Sequence, residues 1–297
     1  MEDSGHLPVL AEPVCRLLGP ALRDVVVDCT VGLGGHAQAL LDQAGPNCRL
    51  IGIDLDEDNL RQAKLRLARF GSRVRLFVAN FADLDAVLHE AGVEAADALL
   101  ADLGVCSIHF DRPERGFSFQ SDGPLDMRLG GKGPTAADLA NRLGQRELAD
   151  IIWRYGQERY SRRIAGAIVR RRASEPLART RELAELIEQA VPPAARRLKI
   201  HPATRTFQAF RIAVNDELGN LERLLGQVVS RLGPQGRAAI ISFHSLEDRL
   251  VKRSFAEMAQ QGAVRILTPK PLGADEAELQ RNPRSRSAKL RAIEKIG

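Results

Sequence analysis

Four short apolar runs, Val25–Asp28, Leu50–Asp54, Val74–Val78 and Ala98–Asp102, punctuate the first hundred residues of the chain. Continuous apolar runs of this length suit strands buried on both faces of a parallel sheet. Helical patterns fill the intervals, near Gly35–Gln43, Glu57–Phe70 and Leu84–Ala91. Such βαβ alternation requires right-handed crossovers and predicts a doubly wound α/β sheet. Ligands of these sheets sit beyond the carboxyl ends of the strands, so chemistry is sought there.

After Asp102 the pattern changes. Residues 112–133 are rich in Gly, Pro, Asp and Arg and read as a long loop. Helical patterns follow without strands, at Leu139–Tyr155, at Arg162–Arg172, and in a helix capped by Thr180 with Leu183, Leu186, Ile187 and Val191 on one face. Strand character returns at Ala238–Phe243 and Val264–Leu267. At 297 residues the chain has about twice the length of one domain. The reading is a core from 1–112 and 206–297, interrupted by a mainly helical insertion over 113–205.

The charge follows this division. The chain is +5 overall, yet Arg154–Arg211 alone holds 14 Lys/Arg against 5 Asp/Glu. Arginine suits phosphate contacts and base stacking, which marks the insertion as a candidate RNA-binding surface. Arg170, Arg171, Arg172, Arg196, Arg197 and Lys199 are its leading contributors, and a solvated helical face is the alternative. A composition 44% hydrophobic and 27% charged excludes wholesale disorder. No apolar run approaches the roughly 18 residues of a membrane span, and MEDSGHLPVL has no signal-peptide pattern. Cys15, Cys29, Cys48 and Cys106 form no CxxC pair, which suggests reduced thiols and a cytoplasmic protein without a metal site.

Motifs stand at each strand end. Asp28 leads into Thr30-Val31-Gly32-Leu33-Gly34-Gly35-His36, a glycine-rich turn before a helix that lacks the full GxGxxG pattern. Asp54, 22 residues after Gly32, is placed to accept ribose hydroxyls. Phe81, in Asn80-Phe81-Ala82-Asp83, is either an adenine platform or plain core. Asp102 ends the fourth strand and faces the same crevice. Phe243-His244-Ser245-Leu246-Glu247-Asp248 opens a helix that Ser245 would cap. Asn215 and Glu217 are weaker candidates, and Arg284–Arg291 is either a phosphate contact or a frayed basic tail. A nicotinamide enzyme and a non-catalytic RNA-binding factor remain compatible with parts of this pattern.

Further blocks join these: His6-Leu7-Pro8-Val9-Leu10, Arg115-Gly116-Phe117-Ser118-Phe119, Gly123-Pro124-Leu125-Asp126-Met127-Arg128 and Arg284-Ser285-Arg286-Ser287-Ala288-Lys289-Leu290-Arg291. With Asp102-Leu103-Gly104-Val105, the glycine-rich turn and the FHSLED block, the sequence resembles the MraW (RsmH) family almost end to end. These are bacterial S-adenosylmethionine-dependent methyltransferases of the cytosine N4 amine in small-subunit (16S) ribosomal RNA. The resemblance implies a class I (Rossmann-like) methyltransferase fold, doubly wound and mostly parallel, with an inserted helical domain.

It implies S-adenosyl-L-methionine as cofactor, with Gly34, Gly35 and His36 near its methionine part and Asp54 on the ribose. Phe81 and Asp102 would surround the adenosine and the sulfonium. His109 stands where relatives often carry Gln, so its cofactor contact requires imidazole in place of an amide. Cys106 stands where the family usually has Ser. The substrate would be small-subunit rRNA or the assembled subunit, with no membrane or metal partner, and a homodimer is allowed. Asp102 is the candidate acceptor for the cytosine amine, and His244 or water the candidate for its proton. Cytosine C5 methylation would need a thiol nucleophile, for which Cys106 is the one placed.

Overall fold

The structure, a computed structural model, describes residues 7–196 and 200–297. The chain divides into two compact units. One runs up to Gly104 and resumes at Leu218; the other is Val105–Glu217. These limits lie outside the composition changes at 113 and 205, because the flanks pack with the insertion. Val105 on one side, and Phe207 and Phe210 on the other, belong to its core. Of the sequence features above, His6, Arg197 and Lys199 lie outside the described residues.

The first unit holds a seven-stranded sheet. Its strands are β1 (Val25–Asp28), β2 (Arg49–Asp54), β3 (Val74–Val78), β4 (Ala96–Asp102), β5 (Leu232–Ser242), β6 (Val264–Ile266) and β7 (Lys289–Lys295). Their order is β3-β2-β1-β4-β5-β7-β6. The first five pair in parallel, and β7 runs antiparallel to both β5 and β6. Among the described residues this is a doubly wound, mostly parallel sheet, as the sequence predicts. The strand order reverses direction between β1 and β4, which is where such sheets open a ligand crevice.

Successive residues of β1 show why the runs are apolar throughout. Val25 and Val27 join the core under α4 (Leu84–Ala91), α12 (Glu217–Arg231) and α13 (Ser245–Gln260). Val26 joins the opposite core, under α1 (Ala11–Leu18), α2 (Gly35–Gln43) and α3 (Glu57–Arg66). Both faces of β1 are covered, so alternation of polar and apolar residues has no place in it, whereas the edge strand β3 is only partly covered. Among the described residues, no helix is long and apolar enough to cross a membrane.

The last strand corrects the frayed-tail reading of Arg284–Arg291 from Lys289 onward, while Arg284 and Arg286 precede the strand and are exposed. Leu290, Ala292 and Ile293 are fully buried between β5 and β6. Arg291 is also buried and donates to Asp248 at 2.7 Å, and Lys289 donates to the same carboxylate at 3.2 Å. These two cations hold Asp248 below the ordinary carboxylate range, outweighing a burial effect that would raise it. Asp248 thereby ties the FHSLED helix to the final strand and is not its cap.

The second unit is helical: α5 (Ser107–Asp111), α6 (Ala136–Arg142), α7 (Gln145–Gly156), α8 (Ser161–Arg172), α9 (Thr180–Ala190), α10 (Pro193–Arg196) and α11 (Ala203–Asn215). The pattern over Leu139–Tyr155 is two helices rather than one, parted at Leu143 and Gly144. Thr180 is the first helical residue and not the cap; its hydroxyl accepts from Gly123 N at 3.1 Å.

The Gly/Pro-rich segment before α6 is folded onto this core through Phe117, Leu125 and Met127. A Cβ on Gly123 would stand 1.8 Å from the Pro113 carbonyl oxygen, and one on Gly116 2.2 Å from that of Pro124. Only glycine permits that backbone crossing. Asn215 holds the segment's far side, accepting from Leu129 N at 2.9 Å and donating to Met127 O at 2.8 Å. Glu217 forms a bidentate pair with Arg211 at 2.7 and 2.8 Å. Both residues are structural clamps in this unit.

Candidate active site

The parallel register aligns the strand ends. Asp28 pairs beside Gly52 and Leu100, Asp54 beside Val78, and Asp102 beside Ile241. Asp28, Asp54, Phe81 and Asp102, together with His244 just after β5, therefore share one edge of one sheet.

The turn after β1 needs its glycines for two reasons. Gly32 and Gly34 have φ of 50° and 81°, in the left-handed region that favours glycine. A Cβ on Gly34 would also press on the Ala63 backbone and Leu67 of α3 at 3.4 Å. Asp54 fixes the same turn from β2: its Oδ2 accepts from Gly32 N at 2.8 Å and its Oδ1 from Asp56 N at 2.8 Å. Asn59 Nδ2 also donates to Oδ1 at 3.4 Å, and Asp54 is only half-buried, so its carboxylate borders the edge where a ribose would be held.

Polar atoms in this edge are left for a ligand. Thr30 Oγ1 accepts from Asp102 N at 2.6 Å and sets the end of β4 against the turn. Asp102 Oδ2 lies 3.4 Å from His36 Nε2, a charge pairing rather than a well-formed hydrogen bond. Asp102 Oδ1, Asp28 Oδ2 and both ring nitrogens of His36 are buried without a hydrogen-bond partner among the described residues. Unsatisfied buried groups are costly, and a cluster of them at one strand edge points to a polar, cationic occupant. S-adenosylmethionine, with its ammonium, sulfonium and ribose hydroxyls, matches this donor and acceptor set.

Burial pushes the Asp28 carboxyl up to about 7; the neighbouring His36 and the Thr30 N–H oppose the rise, and Asp102 and Asp54 add to it. Burial would lower the His36 imidazole, but the Asp102 carboxylate, followed by Asp28, outweighs it and the net direction is up. A raised folded-state carboxyl contributes stability at low pH that is lost as pH rises toward 7, because the unfolded chain then releases the proton first. Asp28→Asn removes that dependence. Urea unfolding at pH 5 and pH 8 should show the mutant gaining roughly 2–3 kcal/mol relative to the wild type across the interval. An unchanged difference at the two pH values contradicts a protonated Asp28.

Phe81 begins a short 3₁₀ turn after β3 and packs, half-buried, against the α4 side of the core. Its turn is held by Asn80, which accepts from Ala82 N at 2.9 Å and donates to Asn220 at 3.0 Å. His244, not Ser245, caps α13. Its Nδ1 accepts from Glu247 N at 3.3 Å, and Glu247 returns the bond to the N–H groups of His244 and Phe243 at 3.2 and 2.9 Å. Nε2 of His244 faces Glu247 Oε1 at 3.3 Å. Nδ1 is thus committed to the helix cap, while Nε2 keeps a charge contact with Glu247. His109 belongs to the helical unit, where it is buried with its ring 5.3 Å from that of Phe117. Cys106 is half-buried in the same unit and carries no disulfide.

The sequence profile of the MraW methylase family matches residues 3–296. A protein of Geotalea uraniireducens described as ribosomal RNA small subunit methyltransferase H is 48% identical over 312 residues, covering all of both chains. The protein of that description from Pelobacter propionicus is 49% identical over 308 residues, covering 98% of each. The Heliobacterium mobile protein is 45% identical over 308 residues, covering 98% of this chain and 99% of its own. A match of that length and identity leaves no part of either unit unaccounted for, and this chain belongs to the MraW methylase family.

Proposed function

We propose that this protein transfers a methyl group from S-adenosylmethionine to the exocyclic N4 amine of a cytidine in small-subunit ribosomal RNA. The observation that carries the reading is the row of acidic strand ends, with the unpartnered buried oxygens of Asp28 and Asp102, at the carboxyl edge where open α/β sheets take their ligands. Gly34, Gly35 and His36 hold the methionine end, Asp54 the ribose hydroxyls, and Phe81 the adenine ring.

Transfer forms a carbon–nitrogen bond to N4 as the sulfonium carbon–sulfur bond breaks, leaving S-adenosylhomocysteine and a proton. Cytosine's amine is a poor nucleophile because its lone pair is delocalised into the ring. An acceptor on its N–H draws the nitrogen toward tetrahedral geometry and frees that pair. Asp102 supplies the acceptor, and alignment in a desolvated pocket supplies much of the rest. His244, whose Nδ1 caps α13, or water takes the proton.

The arginine surface of the helical unit carries RNA, with Arg170 of the dense run exposed and its neighbours engaged within the unit. Arg171 forks onto Glu175 at 2.7 and 2.8 Å, Arg172 donates to Ala140 O at 2.7 Å, and Arg196 donates to Gln189 O and Val191 O. Arg159, Arg162, Arg163 and Arg205 are exposed and better placed for phosphate. Small ribosomal subunits or their free RNA, incubated with methyl-labelled S-adenosylmethionine, should yield label in N4-methylcytidine on digestion. Label in 5-methylcytidine, or none, contradicts the proposal. Direct transfer needs no thiol, so Cys106→Ser should keep at least about half of the turnover. Complete loss with intact cofactor binding would instead require a covalent intermediate on Cys106.

A further inference from the structure

Within the helical unit a cavity of about 260 Å³ opens between the start of α8 and the segment entering α11. Glu158, Arg159, Tyr160, Ile200, His201 and Arg205 line it. None of them belongs to the strand-end motifs. The volume falls below the roughly 300–1,000 Å³ of pockets for drug-sized ligands, which suits a single base.

Three chemistries meet in it. Two guanidinium groups supply charge: Arg159 stacks on the Tyr160 ring at 4.6 Å, and the exposed Arg205 is anchored at one nitrogen, 3.4 Å from Gln157 O. Flat and apolar surfaces come from Tyr160, from Ile200, which is 57% exposed, and from His201, whose ring packs 4.6 Å from Phe119. Nδ1 of His201 accepts from Ala203 N at 3.1 Å, which leaves Nε2–H as a donor. The third component is Glu158, 7% exposed, whose Oε1 accepts from Tyr160 N at 2.8 Å. A carboxylate accepts several hydrogen bonds, so capacity remains for an incoming N–H edge.

Phosphate, aromatic face and N–H edge are the parts of one nucleotide. We infer that this cavity seats an unstacked nucleotide of the RNA substrate, with guanine the preferred base. The inference rests on the RNA-methylating function proposed above. Arg205 meets the phosphate, the Arg159 guanidinium plane stacked on Tyr160 and the His201 ring meet the base plane, and Glu158 reads the Watson–Crick edge. Guanine alone presents two adjacent N–H groups, N1–H and N2–H, to a carboxylate. Adenine and cytosine set an amine beside a ring-nitrogen acceptor, and uracil flanks its single N–H with carbonyls. Stacking of splayed bases on aromatic and guanidinium planes is how single-stranded RNA is commonly read.

The full-length protein titrated separately with GMP, AMP, CMP and UMP tests this by calorimetry. GMP should bind at least about tenfold more tightly than UMP, within the range that a base-edge pair provides. Glu158→Gln keeps an acceptor for Tyr160 N–H but loses the charge, and should shrink that preference to within about threefold. Arg205→Ala should weaken all four nucleotides alike. Equal affinities in the wild type, or a preference untouched by Glu158→Gln, overturn the inference. In steady-state methylation, Arg205→Ala and Tyr160→Ala should raise KM for the RNA at least about fivefold with S-adenosylmethionine affinity unaltered. An unchanged KM overturns the cavity as an RNA contact while leaving the methylation reading intact. Failure of the wild type to methylate RNA would overturn that reading instead, and the nucleotide titrations would still decide the cavity.

Discussion

Asp102→Asn is expected to lower kcat for methyl transfer by about 10²–10³-fold, the scale for removing one group aimed at the reacting centre. The backbone N–H of Asp102 is held by Thr30 Oγ1, so the substituted side chain stays in place. What changes is the acceptor: Oδ1, buried and unpartnered, is the oxygen available to an amine N–H. An asparagine at this position is uncharged and presents a donor on one side. Cofactor affinity should move by only a few-fold, because Asp54, His36 and the glycine turn are intact. A second readout separates this role from general damage. The Asp102 carboxylate is the main influence raising the His36 imidazole, so an NMR titration of His36 should shift downward in the mutant. A kcat within threefold of the wild type, with that shift present, removes Asp102 from the chemistry.

Asp54→Ala is expected to weaken S-adenosylmethionine binding by about 1.5–3 kcal/mol, the scale of hydrogen bonds to a charged group. That corresponds to roughly ten- to a hundredfold in Kd. Two losses add here. The ribose loses its acceptor, and Gly32 N and Asp56 N lose theirs, so the turn that receives the cofactor loosens as well. Asp54→Asn retains an acceptor oxygen and should fall between the two. Calorimetry that finds unchanged affinity in folded Asp54→Ala protein would show that the ribose is held elsewhere.

Much of this site was legible before any coordinates. Val74–Val78, with Arg75 inside it, forms the partly exposed edge strand. The runs at Val25, Leu50 and Ala98 are buried on both faces, which is what makes a strand read as continuously apolar. β7 escaped notice for the opposite reason. Lys289, Arg291, Glu294 and Lys295 give it the look of a basic tail; with Glu294 paired to Arg237 and Arg265, and Arg291 and Lys289 paired to Asp248, it enters the sheet. The pairing with Asp248 joins residues about forty positions apart and leaves no local trace.

The helix caps were misread on a finer scale. Serine and threonine are the common capping residues, yet His244 Nδ1 caps α13, and Thr180 directs its hydroxyl to Gly123. The arginine count located the charge in the right segment, but it could not tell Arg171 and Arg172, tied to Glu175 and Ala140, from Arg159 and Arg205 at the cavity. Charge is a property of composition; availability depends on which carbonyls and carboxylates the fold brings near.

The most direct measurement is mass-spectrometric nucleoside analysis of small-subunit rRNA from cells that lack this protein and then regain it. N4-methylcytidine, or a dimethylated nucleoside that contains it, should fall on deletion and return with the wild-type chain, while Asp102→Asn expressed at the same level should leave it low. An unchanged N4-methylcytidine content in the deletion strain, or full restoration by Asp102→Asn, would contradict the account.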